Sequence, residues 1–243
     1  MLLSLAVALT TCCSTVRRVS ISADSNVDPA ADEVARLMRS VVQIDVQAIY
    51  LRDGERVDVG HYGSGFVVAR NLVSSLVITA AHVSKKITTV EDDGETRLVD
   101  TYMMDVVRFD GERCPAKEIY SDHEGDVSIV KVDCDAGLAI ELAPSLPPLG
   151  ARIMMVGFPQ GFKVDGSAIV TEGRFTGLVQ RIFDRPFLSV SIPSSSGFSG
   201  APVIYNGRVF SIMSRGHRGF DYISFGVDTP RLWTAYLKGL EQW

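Results

Sequence analysis

The sequence predicts an all-β protein of two packed antiparallel units, closed by one α-helix at the C-terminal end. Three observations lead there: many short β-rich segments bounded by turn residues, one proline-rich break near the middle, and one late stretch of helical periodicity. The 243 residues leave room for one medium domain or two small ones. A hydrophobic content of 46% and a mean hydropathy of +0.16 supply a core and exclude a disordered chain.

Met1 to Leu9 is an unbroken run of apolar and small residues, which resembles the core of a secretory signal peptide although no Lys or Arg precedes it. The alternative is the frayed start of a strand or helix. Leu9-Thr10-Thr11-Cys12 also resembles a bacterial lipoprotein cleavage box, in which Cys12 carries the lipid; Thr11 departs from the small residue that box prefers. Residues 1–25 are read as leader and linker, and the chain is expected to be exported, periplasmic or extracellular, with a lipid anchor if Cys12 is modified. No apolar run reaches the roughly 20 residues of a membrane-spanning helix.

Residues 26–141 form the first unit. Asp32-Glu33-Val34-Ala35-Arg36-Leu37-Met38 has helical spacing and an acidic start. Strands are predicted at 41–46, 63–69, 75–79, 101–107, 116–120 and 126–131, where apolar and β-branched residues alternate or run between turn residues. Residues 142–243 form the second unit. Pro144, Pro147 and Pro148 cannot sit inside a central strand, so 142–150 is a connector. Strands resume at 151–156, 167–177, 187–192, 201–205, 208–213 and 222–227, and Asn206-Gly207 marks a hairpin. From Pro230 onward, Leu232, Tyr236 and Leu240 recur at four-residue intervals, the mark of an amphipathic helix.

Cys114 and Cys134 are symmetric about residue 124, in the turn Ser121-Asp122-His123-Glu124-Gly125. If the flanking segments pair as a hairpin, the two sulfurs face each other and a disulfide is favoured, which suits an oxidising compartment. Two partly buried thiols are the alternative.

Three motifs carry chemistry. Thr79-Ala80-Ala81-His82 follows a strand, Gly125-Asp126-Val127-Ser128-Ile129-Val130 is a turn entering a strand, and Gly197-Phe198-Ser199-Gly200-Ala201-Pro202 places a serine between glycines. A hydroxyl is a weak nucleophile without a neighbouring base. The order His, Asp, Ser is one in which a catalytic triad is built. Singly, each residue reads as an ordinary half-buried histidine, a turn cap or a loop serine.

Together these motifs resemble the chymotrypsin-like serine peptidases, and within them the bacterial branch related to the HtrA/Deg proteases. Met155-Val156-Gly157-Phe158-Pro159 and Phe225-Gly226-Val227 add to the likeness, which runs from about Val41 to Trp243. No residues remain for the PDZ module that many of those enzymes carry. The resemblance implies two six-stranded β-barrels with the active site between them, His82 and Asp126 on the first and Ser199 on the second. It implies Ser199 as nucleophile, His82 as base, Asp126 as its orienting partner, and the backbone N–H groups of Gly197 and Ser199 as the oxyanion hole.

It also places the specificity pocket. Pro193 stands six residues before Ser199, where peptidases that cut after Lys or Arg carry an aspartate. Ser214, Arg215 and Gly216 form the far wall, with Ser214 matching a serine that binds the triad aspartate, and Gly216 and Gly226 leave an open slot. Cleavage after small or medium apolar residues is the resulting expectation, with a protein or peptide as substrate.

The alternative function is a latent or inactive binding protein on the same fold. A third reading is an α/β-hydrolase esterase; the chain argues against it, because that fold wants G-x-S-x-G, where Ala201 takes the last position, and the order Ser, Asp, His. The formal charge of −5 and the lack of a basic, aromatic-rich stripe argue against nucleic acid. No His/Cys/Asp/Glu grouping has metal-ligand spacing, and no cofactor is expected. His61, His123 and His217 are assigned to solvated loops.

Overall fold

The computed structural model describes residues 29–160, 168–182, 185–217 and 220–243. Residues 1–25, expected to be leader and linker, and Cys12, the expected lipid carrier, lie outside them. Helix α1 (Pro29–Met38) leads into the strands β1 (Val41–Arg52), β2 (Glu55–Arg70) and β3 (Ser75–Thr79), then the four-residue helix α2 (Ala81–Ser84). A hairpin of β4 (Thr89–Asp92) and β5 (Glu95–Leu98) precedes β6 (Thr101–Val107), β7 (Arg113–Asp122) and β8 (Val127–Val132). After the connector come β9 (Arg152–Gly157), β10 (Ile169–Ile182), β11 (Arg185–Val190), β12 (Pro202–Tyr205), β13 (Arg208–His217), β14 (Phe220–Gly226) and α3 (Thr229–Glu241).

Twelve of these strands close into two antiparallel barrels. The first has the order β1-β2-β3-β8-β7-β6 and the second β10-β11-β14-β13-β12-β9. Among the described residues, closure leaves neither barrel a free sheet edge. Inward-facing side chains fill each barrel: Val42, Ile44, Val77, Val106 and Val130 in the first, Met155, Phe175, Leu188, Val203 and Phe210 in the second. A third cluster joins them, with Phe66, Ile78 and Ile129 of one barrel packed among Val156, Phe158 and Ile212 of the other.

Three tight hairpins turn on Asp53-Gly54, Asp93-Gly94 and Asn206-Gly207, with Asp53, Asp93 and Asn206 all at positive φ. Asp and Asn tolerate that region, and its twist matches that of the flanking strands. Only the third pair enters the sequence prediction above. The β4–β5 hairpin around Asp93-Gly94 is therefore absent from it, and β1 and β2 are longer than predicted.

The C-terminal helix follows the second barrel in sequence but packs mainly on the first, against β7 and β8. Asp228 caps it by accepting from the Arg231 N–H, and Gly239 lies so close to Ile129 that a Cβ would meet its Cγ2 at 2.8 Å. Trp233 Nε1 donates to the Ala143 carbonyl of the connector, and Trp243 Nε1 to Ser74. At the other end, Glu33 and Arg36 of α1 lie over Gly207 in the second barrel. The C-terminal helix thus leans on the barrel more distant in sequence, and α1 reaches the second barrel at Gly207.

Candidate active site

His82 is brought to the barrel interface by β3, whose five residues are all buried. The chain then turns into α2, where Ala80 at the N-cap offers no acceptor. Asp126 takes over that role from the turn before β8: its Oδ1 accepts the His82 backbone N–H at 3.1 Å. The same carboxylate lies 2.9 Å and 3.0 Å from the ring Nδ1. An ionised carboxylate only accepts, so Nδ1 carries a proton and neutral His82 keeps Nε2 free as a base. Ser214 of β13 donates its hydroxyl to Asp126 Oδ2.

Asp126 is held at a positive φ of 56°, and its side chain is 6% exposed against 48% for His82. Burial pushes the carboxyl up. The hydrogen bond and charge of His82, with Ser214 and the His82 N–H, outweigh that and hold it below the usual carboxylate range.

The Ser199 loop is held in another way. Gly197 and Gly200 adopt φ of +98° and +84°. A Cβ on Gly197 would sit 2.3 Å from the Phe158 carbonyl, and one on Gly200 2.1 Å from the Ser64 carbonyl. Only glycine fits both the dihedral and the space. Ser64, in Gly63-Ser64-Gly65 of β2, locks the loop from the first barrel. Its N–H donates to the Ser199 carbonyl at 2.7 Å and its Oγ to the Gly197 carbonyl at 2.7 Å, while its Oγ accepts the Phe158 N–H at 2.9 Å.

The Ser196 carbonyl accepts the Gln160 N–H at 2.7 Å. In a trans peptide the N–H points opposite to the carbonyl, so the Gly197 N–H is turned away from Gln160. Among the described residues, neither the Gly197 nor the Ser199 N–H has an acceptor. Ser199 and His82 line one cleft of 430 Å³, but no hydrogen bond joins the ring to the hydroxyl. Contacts of this kind often tighten only when substrate binds.

The same cleft is lined by Ser194, Ser195, Ser196, Met213, Ser214, Arg215, Gly216 and His217. Two expectations about the pocket are corrected here. Pro193 is exposed and does not line the cleft; the serines after it do. Gly226 opens no slot, because it pairs with Leu188 and Met213 inside the barrel wall and a Cβ there would meet Ser211 Oγ at 2.1 Å. Gly216 does line the cleft, but Ser194 Oγ occupies its free face at 2.6 Å from a Cβ position. Arg215 lies over the Phe187 ring at 5.3 Å.

Two histidines are also corrected. His217 is on β13 and lines the cleft, its ring 6.0 Å from that of Phe225. His61 is half-buried on β2, with Nε2 2.8 Å from the Val83 carbonyl. His123 is exposed in its turn. Cys114 and Cys134 are joined at 2.04 Å, in line with the β7–β8 register that pairs Ala116 with Val132. Ser64 escaped the sequence reading; its glycine flanks were the available signal. Among the described residues no cluster suits a metal ion, and no helix is long and apolar enough to cross a membrane.

The family model for the trypsin-like peptidase domain matches residues 63–212, more than half of the chain, a span that contains His82, Asp126 and Ser199. The chain belongs to the trypsin-like peptidase family. The crystal structure of the active form of the Rv3671c protease from M. tuberculosis aligns with a TM-score of 0.62, covering 87% of this chain and 86% of that one at 20% identity. At that identity the likeness shows the shared fold. Among curated proteins none matches.

Proposed function

We propose that this trypsin-like peptidase is a serine endopeptidase working through His82, Asp126 and Ser199. His82 Nε2 takes the Ser199 proton as Oγ adds to the scissile carbonyl. The tetrahedral oxyanion is met by the Gly197 and Ser199 N–H groups. The C–N bond then breaks, His82 returns the proton to the leaving amine, and an acyl-enzyme remains. Water, activated by the same base, releases the acid. The observation that carries this reading is the Asp126–His82 pair facing, across one cleft, a serine beside two N–H groups without acceptors. One such donor is worth about a hundred- to a thousandfold in rate.

The expectation of a small or medium apolar side chain before the cut narrows to a small one. Ser194 fills the space beside Gly216, and among the described residues no carboxylate lines the cleft to receive Lys or Arg. Export is proposed as well: a disulfide closing the β7–β8 hairpin suits an oxidising compartment. A lipid anchor at Cys12 belongs to the same proposal.

The test is labelling by a fluorophosphonate probe, native chain beside Ser199→Ala. Labelling of the native protein alone is the expected result. The missing hydrogen bond between His82 and Ser199 favours a second reading, a latent enzyme or binding module, and a folded but unreactive native protein would select it.

A further inference from the structure

The segment that carries His82 is four residues long, too short to hold itself as a helix. Nor does packing of the imidazole fix it, since that ring is 48% exposed. Its place is set from below, by side chains of four strands. His61 of β2 lies with Nε2 2.8 Å from the Val83 carbonyl; a carbonyl only accepts, so that nitrogen is the donor. Tyr102 of β6 donates its hydroxyl to the Ser84 carbonyl at 3.2 Å. Ser84 Oγ donates to Glu118 Oε2 of β7 at 2.6 Å and lies 2.5 Å from Ser128 Oγ of β8.

A serine hydroxyl has one proton. With that of Ser84 engaged by Glu118, the bond between the serines must run from Ser128 to Ser84. The ionised Glu118 only accepts, and so fixes the direction of the whole chain, Ser128 to Ser84 to Glu118. Both serines are buried, at 0% and 1% exposure. Ser84 stands two residues after His82 and Ser128 two after Asp126. The chain therefore ties together the two segments that carry the base and its carboxylate, on the side away from the cleft. Burial first and the charge of Glu118 second push the Tyr102 hydroxyl up to about 12, which keeps it a donor to α2.

We propose that Glu118 is a positioning residue for the His82–Asp126 pair, holding α2 against β8 through Ser84 and Ser128 and so keeping the imidazole aimed at Ser199. This rests on the triad reading above. A buried polar chain with an unsatisfied member is worse than none, so the acceptor at its end matters most. Misplacement of a reacting group by about 1 Å costs on the order of a hundredfold in rate.

The experiment takes the full chain with Glu118→Ala, Glu118→Gln and Ser128→Ala. It reads kcat and KM on a peptide substrate, the rate of fluorophosphonate labelling, the thermal midpoint, and the low-field Nδ1 proton resonance of His82. That resonance is assigned by its loss in His82→Gln. Glu118→Ala is expected to lower kcat about ten- to a hundredfold with KM nearly unchanged, and to shift or broaden the resonance. Glu118→Gln, whose amide oxygen still accepts, restores both. Should Glu118→Ala fail to fold, Ser128→Ala carries the same expectation at smaller size. A variant that lowers the midpoint while kcat and the resonance stay native overturns the proposal, as does a native protein without the resonance. If the native chain resists the probe yet its resonance depends on Glu118, the positioning role stands and the nucleophile reading falls.

Discussion

The two sides of the cleft are built by different means. On the His82 side, side chains do the holding: Asp126, itself held by Ser214 of the second barrel, fixes the ring, and His61, Tyr102, Glu118 and Ser128 fix the helix beneath it. On the Ser199 side, what is held is backbone: the Ser64 N–H and Oγ and the Gln160 N–H donate to main-chain carbonyls of the loop, and two glycines at positive φ bend it. In the proposed reaction the physical demand differs. A base must present one ring nitrogen, so its side chain has to be aimed. An oxyanion site must present main-chain N–H groups, so the backbone has to be bent and then left unpaired.

The largest expected effect breaks the side-chain half. Asp126→Asn keeps the shape of the contact but not the tautomer, and should lower kcat by roughly ten thousandfold with little change in KM. Steady-state kinetics on a peptide substrate check it, and a loss under tenfold would mean that Asp126 does not orient His82.

On the backbone half, Gly200→Ala should cost more than about 2 kcal/mol in stability, read from the denaturant midpoint. The positive φ adds about 1–2 kcal/mol and the clash with the Ser64 carbonyl adds to it. Gly54→Ala is the control. It has the same sign of φ and open space around it, so it should show the backbone cost alone. Equal costs at the two positions would show that the loop relaxes around the clash.

Ser64→Ala should destabilise by about 1–3 kcal/mol, because it leaves the buried Phe158 N–H without its acceptor. It should also slow probe labelling, since one anchor of the Ser199 loop is gone.

The pH dependence sharpens the comparison. Asp126 titrates below the ordinary carboxylate value, so folding favours its ionised form. Its contribution is complete above about pH 4 and is lost as pH falls through its lowered pKa. Thermal midpoints measured from pH 5 downward should fall less steeply in Asp126→Asn than in the native chain. The smallest effect is alkaline. Tyr102, raised to about 12, favours its neutral form on folding, so its contribution is complete below about pH 10 and fades as pH approaches 12. Ultraviolet titration should lose one late-ionising tyrosine in Tyr102→Phe.

How much of this was legible follows the same division. The Ser199 loop announces itself, because a backbone that must turn without a Cβ leaves glycines at fixed offsets in the chain. The His82 and Asp126 segments were legible as motifs at strand ends, and the Cys114–Cys134 pairing followed from hairpin symmetry. Glu118 and Tyr102 were not legible. They sit on strands as ordinary polar residues, and only the β6, β7 and β8 registers bring them under α2. The Asp53-Gly54 and Asp93-Gly94 turns carry the same Asx-Gly signal as Asn206-Gly207 and are legible by it.

By itself, then, the sequence determined what is local. Alternation gave the strands, three prolines gave the connector, helical spacing gave α3, and short motifs gave the three residues of the proposed triad. Barrel closure decided the rest. It put the C-terminal helix on the barrel distant in sequence, filled the face of Gly216 with Ser194, buried Gly226 in a wall, and set Ser64 under the Ser199 loop. Those outcomes depend on which strands become neighbours and on the volume left between them, and neither quantity is carried by any single stretch of chain.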